Sequence, residues 1–421
     1  MEELRIAMIG SVDAGKSSTT SVLINKMLDD GRGSARVKIM HNKHEKDTGR
    51  TSTVTENYYK ITENKYITFV DLAGHEKYLK TTIYGLSSAH IDYGVIFVGA
   101  NMGVSRMTQE HLMLCVTLRI PYMFVITKID MSPKNILDET IESIKQLIKK
   151  VPNVEPLIID DNVEINDIDV KQICPIFSVS NKTGDGVDKL RNFLSELKSI
   201  HNWDERKDKE MCFTINHKYN IKGIGMVFSG KVIAGEIHKG EKVLLGPFGG
   251  KWITVVARNL HNNFKTDVEI LTAGESGCIA VKGKLDEHIK TKLRKGLVLI
   301  NKVNKNAFRY FDAEIAILSK HSTTIQPRYS PIIHCNNIVQ AAKIVDIYNN
   351  EKYIRCGDKA KVKFKFLYRP EFVDYGERFV FRDGHTKGFG KIVKIYEDGL
   401  HDNEKNDKQI RLEKRAGIKV V

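Results

Sequence analysis

A glycine-rich segment near the N-terminus has the residue types and the spacing of a phosphate-binding loop. It reads Gly10-Ser11-Val12-Asp13-Ala14-Gly15-Lys16-Ser17, matches G-x-x-x-x-G-K-[ST], and lies between an apolar run and a helical pattern. Glycines let backbone N–H groups turn toward phosphate oxygens, Lys16 can reach the β- and γ-phosphates, and the Ser17 hydroxyl can ligate Mg²⁺. A mere glycine-bearing strand–helix turn would not explain the motifs that follow. The residues predicted to bind phosphate are Gly10, Asp13, Ala14, Gly15, Lys16, Ser17, Ser18, Asp71 and Gly74.

The segment Asp71-Leu72-Ala73-Gly74-His75 follows the apolar run 66–70 and could complete the phosphate chemistry. An Asp at the carboxyl end of a strand beside the loop can hold the Mg²⁺ shell, and Gly74 lets its backbone approach the γ-phosphate. His75 is then placed to orient the attacking water and is the predicted catalytic residue. The competing interpretation of His75 is a surface histidine at the start of a helix.

Two further motifs predict recognition of guanine. The Asp130 carboxylate in Thr127-Lys128-Ile129-Asp130 can accept hydrogen bonds from N1 and N2 of guanine, a pattern that adenine does not offer. The aliphatic stem of Lys128 would cover the base, and a backbone N–H of Ser180-Asn181-Lys182 would contact O6. We therefore predict GTP as substrate and GDP as product. The predicted guanine-binding residues are Thr127, Lys128, Asp130, Ser180, Asn181 and Lys182.

The polar stretch of about forty residues before Asp71 has the character of a switch loop. It contains Asp47-Thr48-Gly49-Arg50-Thr51-Ser52-Thr53, and such a loop needs one Thr that senses Mg²⁺ and the γ-phosphate. We choose Thr51, with Thr53 as the second candidate, so that the predicted Mg²⁺ ligands are Ser17 and Thr51. His41 and His44 are assigned to a solvated loop, because no third or fourth ligand is nearby.

The elements that must position these residues alternate up to about residue 200. Strand patterns at 4–9, 66–70, 93–99, 122–127 and 174–179 alternate with helical patterns at 16–28, 107–119, 135–150 and 186–199. This order predicts an α/β domain with a mostly parallel sheet and helices on both faces. After Trp203, short β-rich runs with turns every ~8–12 residues predict barrels or sandwiches. The predicted domains are a nucleotide domain at 1–205, β-barrels at 206–305 and 306–400, and a charged tail at 401–421.

Composition and charge restrict the class of protein and of partner. No run approaches the ~18 apolar residues of a membrane span, no signal-peptide pattern opens the sequence, and the six cysteines form no Cys-x-x-Cys pair. We therefore expect a soluble cytoplasmic protein that does not bind membranes. Residues 1–205 carry 25 Lys/Arg and 28 Asp/Glu (net −3), whereas 206–421 carry 41 and 24 (net +17). This asymmetry favours a polyanionic partner, above all RNA, over lysines that only solvate strand edges.

With these motifs in order, the chain resembles the translational GTPases, the superfamily of elongation factor Tu and elongation factor 1-alpha, and most closely the GTP-binding protein 1 and 2 branch. Among the stretches that carry the resemblance are Asp71-Leu72-Ala73-Gly74-His75-Glu76-Lys77-Tyr78, Thr127-Lys128-Ile129-Asp130-Met131 and Phe381-Arg382-Asp383-Gly384-His385. It implies a P-loop GTPase domain followed by two β-barrels. It also implies that Asp13 helps to bind a monovalent cation such as K⁺, and that an activator, usually the ribosome, repositions His75.

The resemblance implies tRNA and the ribosome as partners. In members that carry tRNA, the second domain holds the aminoacyl end and the third contacts the tRNA body. We expect a monomer that binds RNA through residues 206–421 and does not bind DNA. Two positions depart from the elongation factors: Thr127 replaces the usual Asn, as it does within the GTP-binding protein 1 branch, and Arg50 replaces the apolar residue that forms a hydrophobic gate with the residue matching Val12.

Three roles fit these features. The first is a translation-linked GTPase that binds tRNA or ribosomes, and the second is an RNA-surveillance module whose RNA affinity is gated by GTP. The third is the GTPase subunit of a metabolic complex, as in sulfate activation, which has the same domain order. The charge asymmetry argues against the third role, because a small-molecule enzyme has no need of a basic second half.

Overall fold

The computed structural model describes residues 2–40, 54–160, 162–165, 168–301, 307–318, 324–349, 351–383 and 385–396. Their secondary structure changes from alternating strands and helices to β-strands at about residue 210. The predicted order, an α/β P-loop domain followed by two β-barrels, is confirmed. The domain boundaries proposed from the sequence stay predictions.

The first domain is built on a seven-stranded sheet in the order β2-β3-β1-β4-β5-β7-β6. All neighbouring pairs are parallel except β2 with β3. Apolar runs such as Tyr93–Gly99 are buried along their whole length, as expected for strands covered on both faces. The strands are β1 (Glu2–Gly10), β2 (Thr55–Lys60), β3 (Lys65–Asp71), β4 (Tyr93–Gly99), β5 (Tyr122–Thr127), β6 (Glu155–Ile159) and β7 (Ile173–Ser178).

Helices connect these strands, and their ends follow local chemistry. The helix after β4 begins with a capping box, in which Ser105 and Thr108 exchange side-chain-to-backbone hydrogen bonds, and it ends at Arg119 in the left-handed conformation. Short 3₁₀ helices occupy Glu76–Tyr78 and Ile129–Met131. The α-helices are α1 (Lys16–Asn25), α2 (Ser34–Val37), α3 (Leu79–Ser88), α4 (Arg106–Leu118), α5 (Lys134–Ile148), α6 (Val187–Glu196) and α7 (Asp204–Lys207).

The first barrel is a six-stranded ring closed by pairing between β11 and β12, with β13 added beside β12 and a separate β10–β14 ribbon. A short helix, α8 (Glu287–Lys292), precedes its last strand. The strands are β8 (Cys212–Ile221), β9 (Gly225–Ala234), β10 (Glu236–His238), β11 (Lys242–Phe248), β12 (Lys251–Asn262), β13 (Asp267–Val268), β14 (Ile270–Thr272), β15 (Ser276–Lys282) and β16 (Val298–Ile300).

The second barrel is closed in the order β17-β20-β19-β18-β21-β22. Its core is aromatic: the ring of Phe311 lies 5.3 Å from that of Phe364 and 5.9 Å from that of Phe379, measured between centroids. The strands are β17 (Tyr310–Ile317), β18 (Ile332–Cys335), β19 (Ile338–Ile347), β20 (Lys359–Phe366), β21 (Arg378–Asp383) and β22 (His385–Tyr396).

The described residues divide into two compact units. The first contains the parallel sheet, its helices and most of the first barrel, and the second contains most of the second barrel. No helix in the described ranges is both long and apolar enough to span a membrane.

Candidate nucleotide-binding site

The loop between β1 and α1 is organised around a buried lysine. Gly15 has φ +82° and Asp13 has φ +60°, both in the left-handed region, which lets the loop fold back on itself. Lys16 is 7% exposed, and its Nζ donates to the carbonyl oxygens of Gly10 at 3.0 Å and Ser11 at 2.8 Å. Burial lowers the pKa of Lys16, while the Asp71 and Asp13 charges oppose that change. The ammonium is therefore held against the loop backbone.

Ser17 and Asp71 meet beside this lysine. The Ser17 hydroxyl donates to Oδ2 of Asp71 at 2.7 Å, and Asp71 is 2% exposed at the end of β3. Pairing of Met8 with Asp71 places the carboxylate next to the strand that leads into the loop. A hydroxyl and a carboxylate are the hard oxygen donors that Mg²⁺ prefers, so the two residues fit the predicted metal. Within the described ranges, no cluster of three or more His, Cys, Asp or Glu side chains offers another metal site.

Gly74 packs so closely on the loop that a side chain would not fit. A Cβ atom there would lie 2.5 Å from the Gly10 carbonyl oxygen and 2.6 Å from Lys16 Nζ. The next residue, His75, is exposed, and its Nδ1 accepts a hydrogen bond from the Lys77 backbone N–H at 3.1 Å. Because Nδ1 accepts, the neutral imidazole carries its proton on Nε2.

Thr127 joins the phosphate loop to the predicted base-reading segment. Its hydroxyl donates to the Ala14 carbonyl oxygen at 2.9 Å, and the side chain is fully buried. A Cβ on Gly15 would lie 3.1 Å from the Thr127 Oγ1 atom, so the two segments are in close contact. Thr at this position, in place of the usual Asn, therefore makes a side-chain hydrogen bond to the loop through its hydroxyl.

The other predicted guanine-binding residues meet at the carboxyl ends of β5 and β7. The Ser180 hydroxyl donates to Oδ1 of Asp130 at 2.7 Å and accepts from the Lys182 backbone N–H at 3.3 Å. Lys128 has a left-handed backbone, which turns the chain from β5 into the 3₁₀ helix that carries Asp130. The Asn181 amide donates to the α1 residue Thr19 at 2.9 Å, a contact that the sequence motifs did not indicate.

The remaining switch predictions concern Thr51, Thr53, Arg50, His41 and His44. All five lie outside the described residues. Of the two predicted Mg²⁺ ligands, the described structure therefore contains Ser17.

A buried ionic network on β1 was missed by the sequence analysis. Glu3 accepts from Arg5 at 2.7 Å within the sheet, and from Lys231 at 2.8 Å and Ser276 at 2.6 Å on the first barrel. Arg5 also pairs with Glu56 on β2. Burial would raise the pKa of Glu3, but the Lys231 and Arg5 charges outweigh burial and hold it below its ordinary range. Glu3 and Arg5 are two residues apart, but their other partners, Glu56, Lys231 and Ser276, are more than fifty residues away and follow no sequence motif.

The parallel sheet, the loop after β1 and the predicted base-reading segments after β5 and β7 together fit a P-loop GTPase domain, here followed by two β-barrels. Residues 1–199 match the elongation factor Tu GTP binding domain, and residues 304–396 match the elongation factor Tu C-terminal domain. The chain belongs to the translational GTPase superfamily of elongation factor Tu and elongation factor 1-alpha, within its GTP-binding protein 1 and 2 branch.

Two relatives illustrate this membership, and one solved structure has the same fold. GTP-binding protein 1 of Xenopus laevis is 37% identical over 98% of this chain and 66% of its own length. GTP-binding protein 2 of Homo sapiens is 32% identical over 93% of this chain and 69% of its own length. The crystal structure of a bacterial selenocysteine-specific elongation factor superposes with a TM-score of 0.73 at 20% identity, covering 99% of this chain and 61% of that one. The chain thus spans under two thirds of the first relative and of this structure.

Proposed function

We propose that the chain binds GTP and hydrolyses it to GDP and phosphate as a conformational switch linked to translation. The observation that carries the proposal is the meeting of Lys16, Ser17, Asp71 and Gly74 at the loop after β1. Thr127 ties that loop to the segment that carries Asp130, so that triphosphate and guanine would be bound by one connected surface.

In the proposed reaction, water attacks the γ-phosphorus and the bond from this phosphorus to the β–γ bridging oxygen breaks, so that GDP leaves. One water proton stays with the released phosphate and the other passes to solvent. Lys16 neutralises charge on the β- and γ-phosphates, and backbone N–H groups of the loop bind their oxygens. His75 holds the attacking water through Nε2, because Lys77 occupies Nδ1. Ser17, Thr51 and Asp71 would hold Mg²⁺, which neutralises phosphate charge when bound, and Asp13 would hold a monovalent cation such as K⁺.

Two substitutions separate binding from hydrolysis. We expect Lys16→Ala to abolish tight GTP binding, and we expect His75→Ala to bind GTP normally but to lose roughly 10²- to 10⁴-fold in hydrolysis. Lys77→Ala is the matched control, since the hydrogen bond to His75 comes from the backbone of that residue. Nucleotide titration and phosphate release measure the two steps, and a Lys16→Ala protein that turns over GTP at the parent rate would defeat the site assignment.

Two features of the second half support RNA and the ribosome as partners. Residues 206–421 carry a net charge of +17. The first barrel contains a cavity of about 350 Å³, and the stacked rings of His217 and Tyr219 form part of its lining. The basic side chains in this lining are Lys218, Arg294 and Lys295. Stacked rings beside cations suit a nucleotide or an aminoacylated RNA end. This chain shares its fold with a selenocysteine-specific elongation factor, which by its name is a translation factor, and this similarity is consistent with the proposed role.

The translation role is tested by GTP hydrolysis with and without purified ribosomes. A cytoplasmic monomeric switch of this kind should turn over at about 10⁻⁴–10⁻² per second alone and 10³–10⁵-fold faster with its activator. Filter binding to aminoacyl-tRNA, deacylated tRNA and unstructured RNA, each with GTP or GDP, identifies the RNA. If the protein binds all three RNAs with equal affinity and ribosomes do not stimulate its GTP hydrolysis, RNA surveillance becomes the favoured role. Absence of RNA binding would leave the metabolic role.

A further inference from the structure

One outer face of the second barrel is a row of lysines. Strand β20 reads Lys-Ala-Lys-Val-Lys-Phe-Lys-Phe over 359–366, and its alternation points Val362, Phe364 and Phe366 into the core, where each is fully buried. The lysines at 359, 361, 363 and 365 therefore lie on the outer face, separated by about 6.6 Å for every two residues of strand.

The lysines of this face are held in place by tyrosines. Asp312, on the neighbouring strand β17, is 2% exposed and accepts hydrogen bonds from the hydroxyls of Tyr348 at 3.1 Å and Tyr396 at 2.8 Å. Lys361 Nζ lies 5.6 Å from the centre of the Tyr348 ring, and Lys363 Nζ lies 4.5 Å from that of Tyr396. Lys394 Nζ also lies over the Tyr396 ring, 4.7 Å from its centre. One buried carboxylate thereby fixes two rings, and the rings fix cations by cation–π attraction.

Positive charge dominates the outer surface of these strands. Lys343 pairs opposite Lys365, Lys394 opposite Asp312, and Lys391 opposite Glu314, which places them all on the outward side of the barrel. We define the lysine face as the seven lysines 343, 359, 361, 363, 365, 391 and 394. Within the described residues of these strands, the acidic residues are Asp312, which is buried under the tyrosines, Glu314, and Asp346, which pairs with Lys352.

We propose that the lysine face binds the sugar–phosphate backbone of double-stranded RNA, independently of base sequence. The inference rests on the RNA-binding role proposed above and locates a contact surface for it. Lysine is a point charge that binds phosphates, and a backbone contact positions RNA without reading its bases. Nucleic-acid interfaces are polar and strongly positive, whereas a protein interface is centred on apolar and aromatic anchors. Here the rings of Tyr310, Tyr348 and Tyr396 lie under lysine ammonium groups, so the face fits the first class.

The proposal is tested with a triple variant and a control of equal charge. Lys361→Gln, Lys363→Gln and Lys394→Gln remove three charges from the lysine face. Lys134→Gln, Lys149→Gln and Lys150→Gln remove three exposed charges from α5 and the residues that follow it. The Kd for a mixed-sequence RNA duplex of about two helical turns is measured by fluorescence anisotropy at several salt concentrations. We expect the face variant to lose on the order of 10²-fold in affinity at 0.1 M salt and its salt slope to fall by about 3, with little change in the control.

A second variant tests whether the tyrosines position the lysines. Tyr348→Leu with Tyr396→Leu leaves the charge unchanged, so we expect weaker RNA binding with a nearly unchanged salt slope. Tyr348→Phe alone keeps the ring and should bind more tightly than this pair. A tyrosine variant that binds as the parent does would overturn the positioning role.

The outcomes separate this inference from the proposed function. If the parent binds RNA and the face variant binds equally well, the lysine face is not the contact, although the RNA-binding role stands. If the parent binds no RNA, both fail, while GTP hydrolysis is measured independently of either. Unlabelled duplex and polyglutamate of equal charge are also compared as competitors for the labelled duplex. If polyglutamate competes as well as the duplex does, the lysine face recognises acidic polymers in general, and the proposal is overturned.

Discussion

At the scale of single residues, Thr127 departs from the usual Asn and hydrogen-bonds to the phosphate loop. Its hydroxyl donates to the Ala14 carbonyl oxygen inside the protein, where the usual Asn would offer an amide. A buried carbonyl that loses its donor costs free energy, because no water replaces the bond. The hydroxyl at position 127 therefore connects the loop after β1 to the predicted base-reading segment.

Thr127→Val keeps the shape of the side chain and removes the donor. We expect it to destabilise the first domain by about 1–3 kcal/mol and to weaken GDP binding. Thr127→Ser retains the hydroxyl and is the control. Thermal unfolding and GDP dissociation kinetics measure the two effects, and a Val variant as stable and as tight as the Ser variant would show that the hydrogen bond contributes nothing.

His111 on α4 predicts a pH dependence of stability. It is fully buried, and neither ring nitrogen has a hydrogen-bond partner among the described residues. Burial, aided by the charge of Lys16, lowers the pKa of His111 to about 3. The folded state therefore keeps the ring neutral below the ordinary histidine pKa of about 6.5, where the unfolded chain takes up a proton.

The sign follows from proton uptake by the unfolded state. Above pH ~6.5, His111 does not affect the free energy of unfolding. As the pH falls from there to about 3, the free energy of unfolding decreases by up to ~1.4 kcal/mol per pH unit. Between pH 7 and pH 5, we expect the free energy of unfolding of the parent to fall by about 2 kcal/mol more than that of His111→Phe. Urea unfolding at the two pH values measures the difference. The exposed His288, changed to Gln, is the control, and parallel pH profiles for parent and His111→Phe would contradict the assignment.

At the scale of elements, β1 has two buried faces of different chemistry. Leu4, Ile6 and Met8 join the apolar core of the first domain. The alternate residues Glu3 and Arg5 face an ionic network that reaches Lys231 on β9. Arg5 also joins β2 through Glu56, so the strand that follows the predicted switch segment is connected to the first barrel.

A double-mutant cycle on Glu3 and Lys231 tests this connection. Glu3→Gln removes the carboxylate that pairs with the buried Lys231, and Lys231→Met leaves the buried Glu3 with Arg5 as its cationic partner. Each single change breaks a buried ion pair and should destabilise the protein by up to roughly 3–5 kcal/mol. The double variant should cost clearly less than the sum, because it removes both charges. Additive changes in thermal unfolding would mean that the two groups do not interact. Lys207→Met, which changes an exposed ion pair with Asp204, should have little effect and is the control.

At the scale of the whole molecule, one contact links the predicted switch region to the cavity of the first barrel. Lys295 Nζ lies 3.3 Å from the centre of the Tyr84 ring on α3, and Lys295 also lines the cavity. Helix α3 follows Gly74 and His75 by a few residues, so a nucleotide-dependent shift of that helix would move a cavity residue. We therefore expect this contact to convert the state of the nucleotide into a change in the proposed RNA affinity.

We expect Tyr84→Leu to reduce the ratio of RNA affinities in GTP and GDP toward one, since the lysine loses its ring. Tyr84→Phe keeps the ring and should preserve the ratio. By reciprocity, RNA must change GTP affinity by the same factor, which gives a second measurement of the coupling. A Leu variant with the parent ratio would exclude this contact as the link.

The sequence alone determined the motifs formed by neighbours along the chain, and from them it predicted the site residues. The phosphate loop, the segment beginning at Asp71 and the base-reading motifs combine residue type with position at a strand end, and strands at 4–9 and 93–99 appear as β1 and β4. The antiparallel β2 was missed because polar residues interrupt its apolar pattern. The edge strand β6 was missed because it is only five residues long and begins with Glu155 and Pro156.

Tertiary structure alone decided which distant groups meet. The hydrogen bond from Thr127 to Ala14 spans 113 residues, and that from Lys231 to Glu3 spans 228. Spacing in the sequence does not encode such contacts, because they arise where separate strands end at one edge or where a barrel packs on a sheet. The alternating lysines of β20 are visible in the sequence, yet only the fold places Asp312 beneath Tyr348 and Tyr396 and turns a solvated strand into a positioned row of charge.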